Sequence, residues 1–126
     1  MGGEETFTQK LDSLFTISSE LDDNASVDIS GMIGQYAHGN EPSHHVAYMY
    51  SYAGKQYKTA PIIRTINKTL YTDKPDGLSG NEDCGQMSAW YIFSSIGFYP
   101  VNPTNGLYVF GSPLFDEVKI NLSEDK

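Results

Sequence analysis

Cysteine and positive charge are both scarce in this 126-residue sequence. Cys84 is its single cysteine, so no disulfide can form within the chain. Only eight Lys and Arg residues accompany 16 Asp and Glu residues, and the formal net charge of −8 disfavours nucleic acid as a partner because an acidic surface repels phosphates. No apolar run approaches the roughly 20 residues of a membrane span, and the first residues lack the basic and apolar regions of a signal peptide.

The composition and the spacing of apolar residues predict a single, mainly helical unit. Hydrophobic residues make up 39% of the chain, which is enough for a packed core in a chain of one-domain length. Apolar residues recur at helical spacing in four segments, and glycine ends two of them. We predict helices over 5–16, from Pro42 to Ala53, over 56–70 and over 84–96. Because proline is tolerated only in the first turn of a helix, Pro61 moves the expected start of the third helix towards Thr59.

The pattern changes to that of β-strands near residue 105. Residues 107–110 and 118–122 are rich in β-branched, aromatic and other apolar residues and predict two strands, joined by a loop that contains Gly111 and Pro113. We therefore expect one unit over 1–126, helical over about 1–100, with a short β segment over about 105–122. A lone two-stranded hairpin is only marginally stable, so these strands suggest a partner outside the chain.

Two polar loops have the composition of a functional site. The first loop, His38–His45, contains three histidines and one glutamate, and the second loop, Gly77–Gln86, contains two acidic residues. Each loop leads into a segment rich in aromatic residues. Loops supported by rigid helices are where binding and catalytic groups concentrate.

Asp83 in the second loop has two interpretations. It stands three residues before Gln86, which is the spacing of a capping box for the helix that follows. A carboxylate at a helix N-terminus is also kept ionised by the helix dipole, as a metal ligand or a general base requires. Spacing alone leaves both interpretations open. The neighbouring Glu82 is expected to be a solvated side chain.

The first loop raises the question of a metal site. His38, Glu41 and His44 are spaced at three residues, and imidazole and carboxylate groups bind zinc. However, there is no H-E-x-x-H pattern, and Pro42 prevents a helix that would place both histidines on one face.

Oxygen ligands point to a different metal. The side chains of Asn40, Glu41 and Asp83 offer the oxygen atoms that calcium prefers, although the sequence lacks the loop pattern of an EF-hand. The residues alone leave zinc and calcium open.

Three strings resemble those of one known family: HGNEPSHHVAYMYSYAGKQYKT, PDGLSGNEDCGQMSAWYIFSSIGFYPVNP and YVFGSPLFDEVKI. In this order they look like the C-terminal third of the catalytic region of glycoside hydrolase family 92, the bacterial exo-acting α-mannosidases. The resemblance covers about residues 30–122, and residues 1–17 are compatible with it. It implies a C-terminal fragment of an (α/α)6 toroid, in which antiparallel helices are followed by a short β-hairpin.

The resemblance also implies roles for individual residues. The family uses calcium and cleaves terminal α-mannose with inversion, and its base carboxylate lies in the segment that matches GNEDCGQ. Asp83 is therefore the expected catalytic base. Asn40, Glu41 and Asp83 are the expected calcium ligands, and His38, Glu41 and His44 are expected to contact the substrate.

Two features of the family have no counterpart in this sequence. Asn81 stands where some members carry a second acid, which counts against two cooperating acids in the second loop. The general acid of the family is a glutamate on an earlier segment, which matches nothing here and is expected to lie upstream of Met1. We therefore expect the isolated chain to be inactive without the missing N-terminal part of the parent enzyme.

The expected substrate is terminal α-mannose of a glycan, with an α-1,2 linkage as a frequent preference in the family. By the habit of the family, the parent enzyme is expected in the periplasm, at the cell surface or secreted. Two alternatives remain open at this stage. One is a mannose-binding module without catalysis, and the other is a zinc hydrolase built on His38, Glu41 and His44.

Overall fold

A computed structural model describes residues 2–21, 25 and 29–122. Its helices are α1 (Gly3–Thr16), α2 (Gln56–Thr69) and α3 (Gln86–Ile96), with 3₁₀ helices over Glu41–Ser43, Val46–Ala53 and Pro103–Asn105. Its strands are β1 (Met32–Ile33), β2 (Tyr36–Ala37), β3 (Phe98–Asn102) and β4 (Leu107–Phe110), which form two antiparallel pairs, β1 with β2 and β3 with β4. The predicted mainly α architecture with a short β-hairpin is confirmed.

Glycines end two of the helical segments, as predicted. Gly54 ends the Val46–Ala53 segment at φ 65°, and Gly97 ends α3 at φ 113°, in the left-handed region that glycine adopts without steric cost. The Val46–Ala53 segment is a 3₁₀ helix, although an α-helix was predicted. It is longer than the usual 3–4 residues of such helices, and it packs between α1 and α2.

Helix α2 begins at Gln56, so Pro61 lies inside it and not in its first turn. The ring lies on the exposed side of the helix. Because proline has no N–H, it leaves the carbonyl group of Tyr57 without its usual partner within the helix. The other face of α2 supplies Ile63 and Ile66 to the core, both fully buried.

Trp90 lies at the centre of the core. Its indole ring is fully buried and stacks on the ring of Tyr71 with an angle of 5° between the planes. Tyr48 and Tyr99 form a second stacked pair, with ring centroids 5.1 Å apart. The remaining buried members of the core cluster are Tyr36, Ala47, Ile63 and Ile66. The aromatic content of the sequence is therefore used largely for the core under the two polar loops.

The C-terminal hairpin differs from the predicted one. Strand β4 is present as expected, but its partner is β3, which runs through the predicted loop after α3. Residues 117–122 have no regular secondary structure, so the strand predicted there is not formed. Its alternating side chains Val118, Ile120 and Leu122 are all exposed, because no strand in the described part of the chain pairs with them.

No helix among the described residues is long and apolar enough to cross a membrane.

Candidate active site

The first and second loops meet at a polar cavity of about 430 Å³. The cavity brings together three residues that the sequence singled out, Asn40, Glu41 and Asp83. Its remaining lining residues are Ser30, Gly39, Gly80 and Asn81. Residues from distant parts of the sequence thus line a common space, and all of them except the two glycines carry a side-chain oxygen atom.

Two glycines allow the loops to approach this closely. A methyl group on Gly80 would overlap the carbonyl oxygen of Gly39, and one on Gly39 would overlap the hydroxyl of Ser30 and the carbonyl oxygen of Ser79. The backbone N–H of Gly39 also donates to the carbonyl oxygen of Ser30, at 3.0 Å. The floor of the cavity is therefore backbone packed on backbone.

The second loop carries Asp83 on an unusual turn. Asp83, Cys84 and Gly85 follow one another at positive φ, with values of 40°, 60° and 87°. The left-handed region is unfavourable for residues with a Cβ, and two such residues in succession are rare. Strained backbone of this kind is concentrated at functional sites, where the surrounding structure holds it in place.

The capping interpretation of Asp83 is wrong. The N-cap residue of α3 is Gly85, which has no side chain that could cap the helix. Glu82, which precedes the N-cap residue, caps the helix instead, because its Oε1 accepts a hydrogen bond from the N–H of Ser88 at 3.2 Å. Glu82 is therefore not the solvated side chain that was expected, and Asp83 remains exposed on the cavity wall.

His38 lies beneath the loops, fully buried. Its Nδ1 lies 2.8 Å from the hydroxyl of Tyr36, and its Nε2 lies 2.6 Å from the hydroxyl of Tyr71. Since Tyr71 donates its own proton to the carbonyl oxygen of Met87, its oxygen accepts from Nε2–H, and Nδ1 accepts from Tyr36. Burial, aided by the charge of nearby His44, lowers the pKa of His38 to about 3, so the ring is neutral.

His44 is also buried, and its ring stacks on that of His38 with centroids 4.7 Å apart. Its Nε2 lies 3.0 Å from the carbonyl oxygen of His38, and its Nδ1 lies 3.1 Å from Nε2 of Gln86. Burial lowers the pKa of His44 as well. The carbonyl oxygen of His44 accepts from the indole N–H of Trp90 at 3.0 Å, which fixes the loop to α3.

These contacts change the roles predicted for the two histidines. All four ring nitrogens already have partners inside the protein, and neither side chain reaches the surface. Direct contact with substrate hydroxyls does not fit this arrangement. His38 and His44 instead support the first loop from below.

Zinc does not fit the site either. Within the described residues, no three His, Cys, Asp or Glu side chains come close enough together to hold a metal ion. The zinc alternative required the ring nitrogens of His38 and His44 to be available, and they are not.

The donor set of the cavity fits calcium. Glu41 Oε1 is buried and has no hydrogen-bond partner among the described residues, which is costly for a carboxylate unless a cation or a donor satisfies it. Asn40 and Asp83 add amide and carboxylate oxygens in the same cavity. Hard oxygen atoms of this kind are the ligands that calcium takes.

Several residues of the site have no clear signal in the sequence. Ser30 lies outside both loops, and its place in the cavity follows from the turn between β1 and β2. Gln86 forms a side-chain hydrogen bond with His44, and Tyr71 forms one with His38. Each pair is far apart in the sequence, so residue spacing does not predict the contact. Asn81 was noted only as a departure from the family pattern, and it lines the cavity.

Comparison with known proteins gives consistent results. The model of the glycosyl hydrolase family 92 catalytic domain matches residues 1–126. A protein of the fungus Arthroderma benhamiae, described as an uncharacterized secreted glycosidase, is 34% identical over 82 residues, which are 65% of this chain and 10% of that protein.

Three similar solved structures come from Bacteroides thetaiotaomicron. A family GH92 α-mannosidase is 56% identical with a TM-score of 0.78, and the match covers 88% of this chain and 14% of that chain. The same enzyme in complex with mannoimidazole matches at 54% identity and a TM-score of 0.82, over 88% of this chain and 15% of that one. An inverting mannosidase of the family is 42% identical with a TM-score of 0.70, over 91% of this chain and 17% of that one. The chain thus spans about a tenth to a sixth of the length of these relatives.

Proposed function

This chain belongs to the catalytic domain of glycosyl hydrolase family 92, and from this premise we propose that it forms the calcium-binding, base-carrying part of an exo-acting α-mannosidase. The reaction is hydrolysis of terminal α-mannose from glycans with inversion at the anomeric carbon. A relative binds mannoimidazole, and another is an inverting mannosidase, which supports the substrate class and the stereochemical course. The preference for α-1,2 linkages rests on the resemblance of the sequence motifs.

The observation that carries the proposal is the polar cavity between the two loops. It combines two carboxylates. The Oε1 atom of Glu41 is buried and has no hydrogen-bond partner within the described part of the chain, and Asp83 lies on a strained turn. Structural ion pairs do not explain this pair of acids, because none of the described residues that line the cavity is cationic. A site for a cation and a polar substrate does explain it.

Calcium, when bound, supplies a positive charge that orients adjacent hydroxyl groups of the terminal mannose. Asn40, Glu41 and Asp83 would hold it, because all three residues line the same cavity and carry side-chain oxygen atoms. The neutral histidines below the loop leave the negative charge of the carboxylates uncompensated until a cation arrives. The protein therefore contributes the negative charge of the carboxylates and the shape of the cavity, and both are present before calcium binds.

Asp83 is the residue that accepts the proton of the attacking water. It is exposed on the cavity wall, so a water molecule can reach it, and the left-handed turn restricts the directions in which its carboxylate can point. In an inverting enzyme the base activates water on the face of the sugar opposite to the acid. Asn81 is neutral, so it can donate a hydrogen bond in the cavity but does not serve as a second base.

The general acid comes from a part of the enzyme outside this chain. Among the described residues, the carboxylates that line the cavity are Glu41 and Asp83, and both already have roles. The solved relatives are about six to seven times longer than the matched region, which leaves ample chain for the acid and for recognition of the leaving sugar. The secreted description of the fungal relative supports an enzyme of the periplasm, the cell surface or the medium.

The test combines metal binding and activity. Calcium binding to the 126-residue chain is measured by calorimetry, with Asp83→Ala and Glu41→Ala as site variants and Asp76→Ala, in an exposed turn, as the matched control. We expect binding by the wild type and by the control, and loss of binding in both site variants. Binding that survives both site substitutions would show that the cation lies elsewhere.

Activity is measured on a mannobiose. We expect hydrolysis by the isolated chain to stay at the rate of buffer, because removing one of two catalytic groups costs orders of magnitude in rate. In the 56%-identical Bacteroides enzyme, we expect an aspartate at the position equivalent to Asp83, and its substitution by asparagine should lower kcat by about 10²-fold or more while mannoimidazole still binds. An unchanged kcat would contradict the role of the base, and binding without any hydrolysis by a complete parent enzyme would favour the mannose-binding module.

A further inference from the structure

Gln86 occupies a position that links the two loops of the cavity. It is the first residue of α3 and directly follows the left-handed turn that begins at Asp83. Its side-chain Nε2 lies 3.1 Å from His44 Nδ1 and 3.3 Å from the hydroxyl oxygen of Tyr99. One amide group therefore connects the end of the second loop to the end of the first.

The hydrogen-bonding roles in this link have one consistent arrangement. His44 Nε2 faces the carbonyl oxygen of His38, which only accepts, so Nε2 carries the proton and Nδ1 of the neutral ring is an acceptor. Nδ1 therefore requires a donor, and the NH₂ group of Gln86 supplies it while its second hydrogen faces Tyr99. A glutamate of the same size offers no donor in its ionised form. The position thus favours glutamine by chemistry as well as by shape.

The link spans the two turns that carry the carboxylates of the cavity. The N–H of His44 donates to the carbonyl oxygen of Glu41 at 3.0 Å, so His44 closes the turn that begins at Glu41. The N–H of Gln86 lies 2.9 Å from the carbonyl oxygen of Glu82 and 3.3 Å from that of Asp83, so Gln86 closes the left-handed turn. The side-chain bond between the closing residues joins one turn to the other.

We propose that Gln86 is a positioning residue that sets, through His44, the separation of Glu41 and Asp83 across the cavity. The inference rests on the proposed function, in which these two carboxylates hold calcium. Gln86 itself is not among the residues that line the cavity, so it acts on the cation only through the two turns. It is half-buried, and its amide is shared between His44 and Tyr99, which prevents it from rotating towards solvent without breaking both bonds.

The first experiment measures amide hydrogen exchange without metal. Gln86→Met keeps the length of the side chain and removes both of its hydrogen bonds. Gln86→Glu keeps the shape of the side chain and replaces the NH₂ donor. Gln56→Met is the matched control, at the exposed first residue of α2. We expect about tenfold faster exchange in the first loop and in residues 80–86 of both Gln86 variants, the change that corresponds to one hydrogen bond of typical net strength. Helix α1 should exchange at the wild-type rate in all of them. Wild-type exchange in both loops of both Gln86 variants would overturn the proposal.

The second experiment uses Tb³⁺ as a luminescent substitute for calcium. The luminescence lifetime in H₂O and D₂O counts the water molecules on the bound ion and does not depend on how much of the protein is folded. We expect about tenfold weaker binding by Gln86→Met and about one additional bound water, because one carboxylate moves out of reach. Gln56→Met should match the wild type in both measurements. Equal affinity and equal lifetimes in all three proteins would overturn the proposal.

The two experiments separate this inference from the proposed function. Failure of the wild type to bind Tb³⁺ or calcium would contradict the cation site, and the exchange rates would then decide the positioning role of Gln86 by themselves. Binding by the wild type with unchanged exchange in the Gln86 variants would leave the cation site in place and reject the inference.

Discussion

The backbone of Gly80 lies against the backbone of Gly39 so closely that a methyl group on Gly80 would overlap the Gly39 carbonyl oxygen. This contact joins two loops that are far apart in the sequence. The residues that follow each glycine supply most of the polar wall of the cavity, Asn40 and Glu41 on one side and Asn81 and Asp83 on the other. The size of the cavity therefore depends on the absence of two side chains.

Gly80→Ala should destabilise the fold and weaken calcium binding together. The added methyl group has backbone on the other side, so the loops must separate, which costs about 1–3 kcal/mol of unfolding free energy. Gly106→Ala is the control, because nothing lies within 4 Å of its added methyl group and only its positive φ of 67° opposes the substitution. That control should lose about 1 kcal/mol and keep the wild-type calcium affinity. Chemical denaturation and calorimetry measure both quantities, and an equal calcium affinity of the two variants would contradict the prediction.

Glu41→Gln should lower the stability of the protein in the presence of calcium but not in its absence. The Oε1 atom of Glu41 is buried and unpartnered among the described residues, so removal of the charge should leave the metal-free protein at least as stable as the wild type. With calcium present, the variant should lose the stabilisation that binding gives the wild type, because a carboxylate ligand is gone. Thermal unfolding in chelator and in calcium checks this. Glu20→Gln, at an exposed position, should behave as the wild type in both conditions, and a destabilised metal-free Glu41→Gln protein would count against an uncompensated carboxylate.

The buried histidines should make the fold sensitive to acid. The folded-state pKa of His38 is about 3, below its ordinary value of 6.5, so the unfolded chain binds more protons between these two values. Unfolding free energy should therefore be constant above about pH 6.5 and fall as the pH decreases towards 3. At about pH 4.5 the contribution of His38 is a loss of roughly 2–3 kcal/mol relative to neutral pH.

Two measurements check this dependence on pH. In NMR titrations, the ring signals of His38 in the folded protein should not move down to about pH 4.5. In denaturation series, His38→Gln should reduce the dependence of stability on pH, while His45→Gln, at an exposed site, should keep it. A His38 signal that titrates at its ordinary value in the folded protein would contradict the buried, neutral assignment.

The C-terminal hairpin should promote self-association of the isolated chain. Phe110 is 70% exposed, Leu107 is 66% exposed and β4 pairs only with β3 within the described residues, so an apolar strand edge is accessible. Phe110→Lys should shift sedimentation velocity profiles towards monomer at high protein concentration. Tyr57→Lys on α2, where the ring is 69% exposed but lies outside the hairpin, should leave association unchanged. A wild-type chain that stays monomeric over the whole concentration range would argue against this surface as a contact.

Most of the helical structure follows from local features of the sequence. Apolar spacing marked α1, α2 and α3 to within a few residues, because an amphipathic helix repeats its buried face every three to four positions whatever it packs against. The β-hairpin was predicted less well. Residues 118–122 alternate as a strand does, but a strand requires a partner, and in the described part of the chain the partner of β4 is β3.

The sequence by itself determined which groups are available for the chemistry: the oxygen-rich segments around Asn40 and Asp83, their glycines, and the motifs that assign the chain to its family. Only the tertiary structure decided how these groups are used. It brought the two loops into contact, turned Glu82 into the helix cap, and placed His38 and His44 in the core instead of on the cavity wall. The reason is physical, since burial and hydrogen-bond partners depend on which distant segments pack together, and local spacing contains no information about that packing.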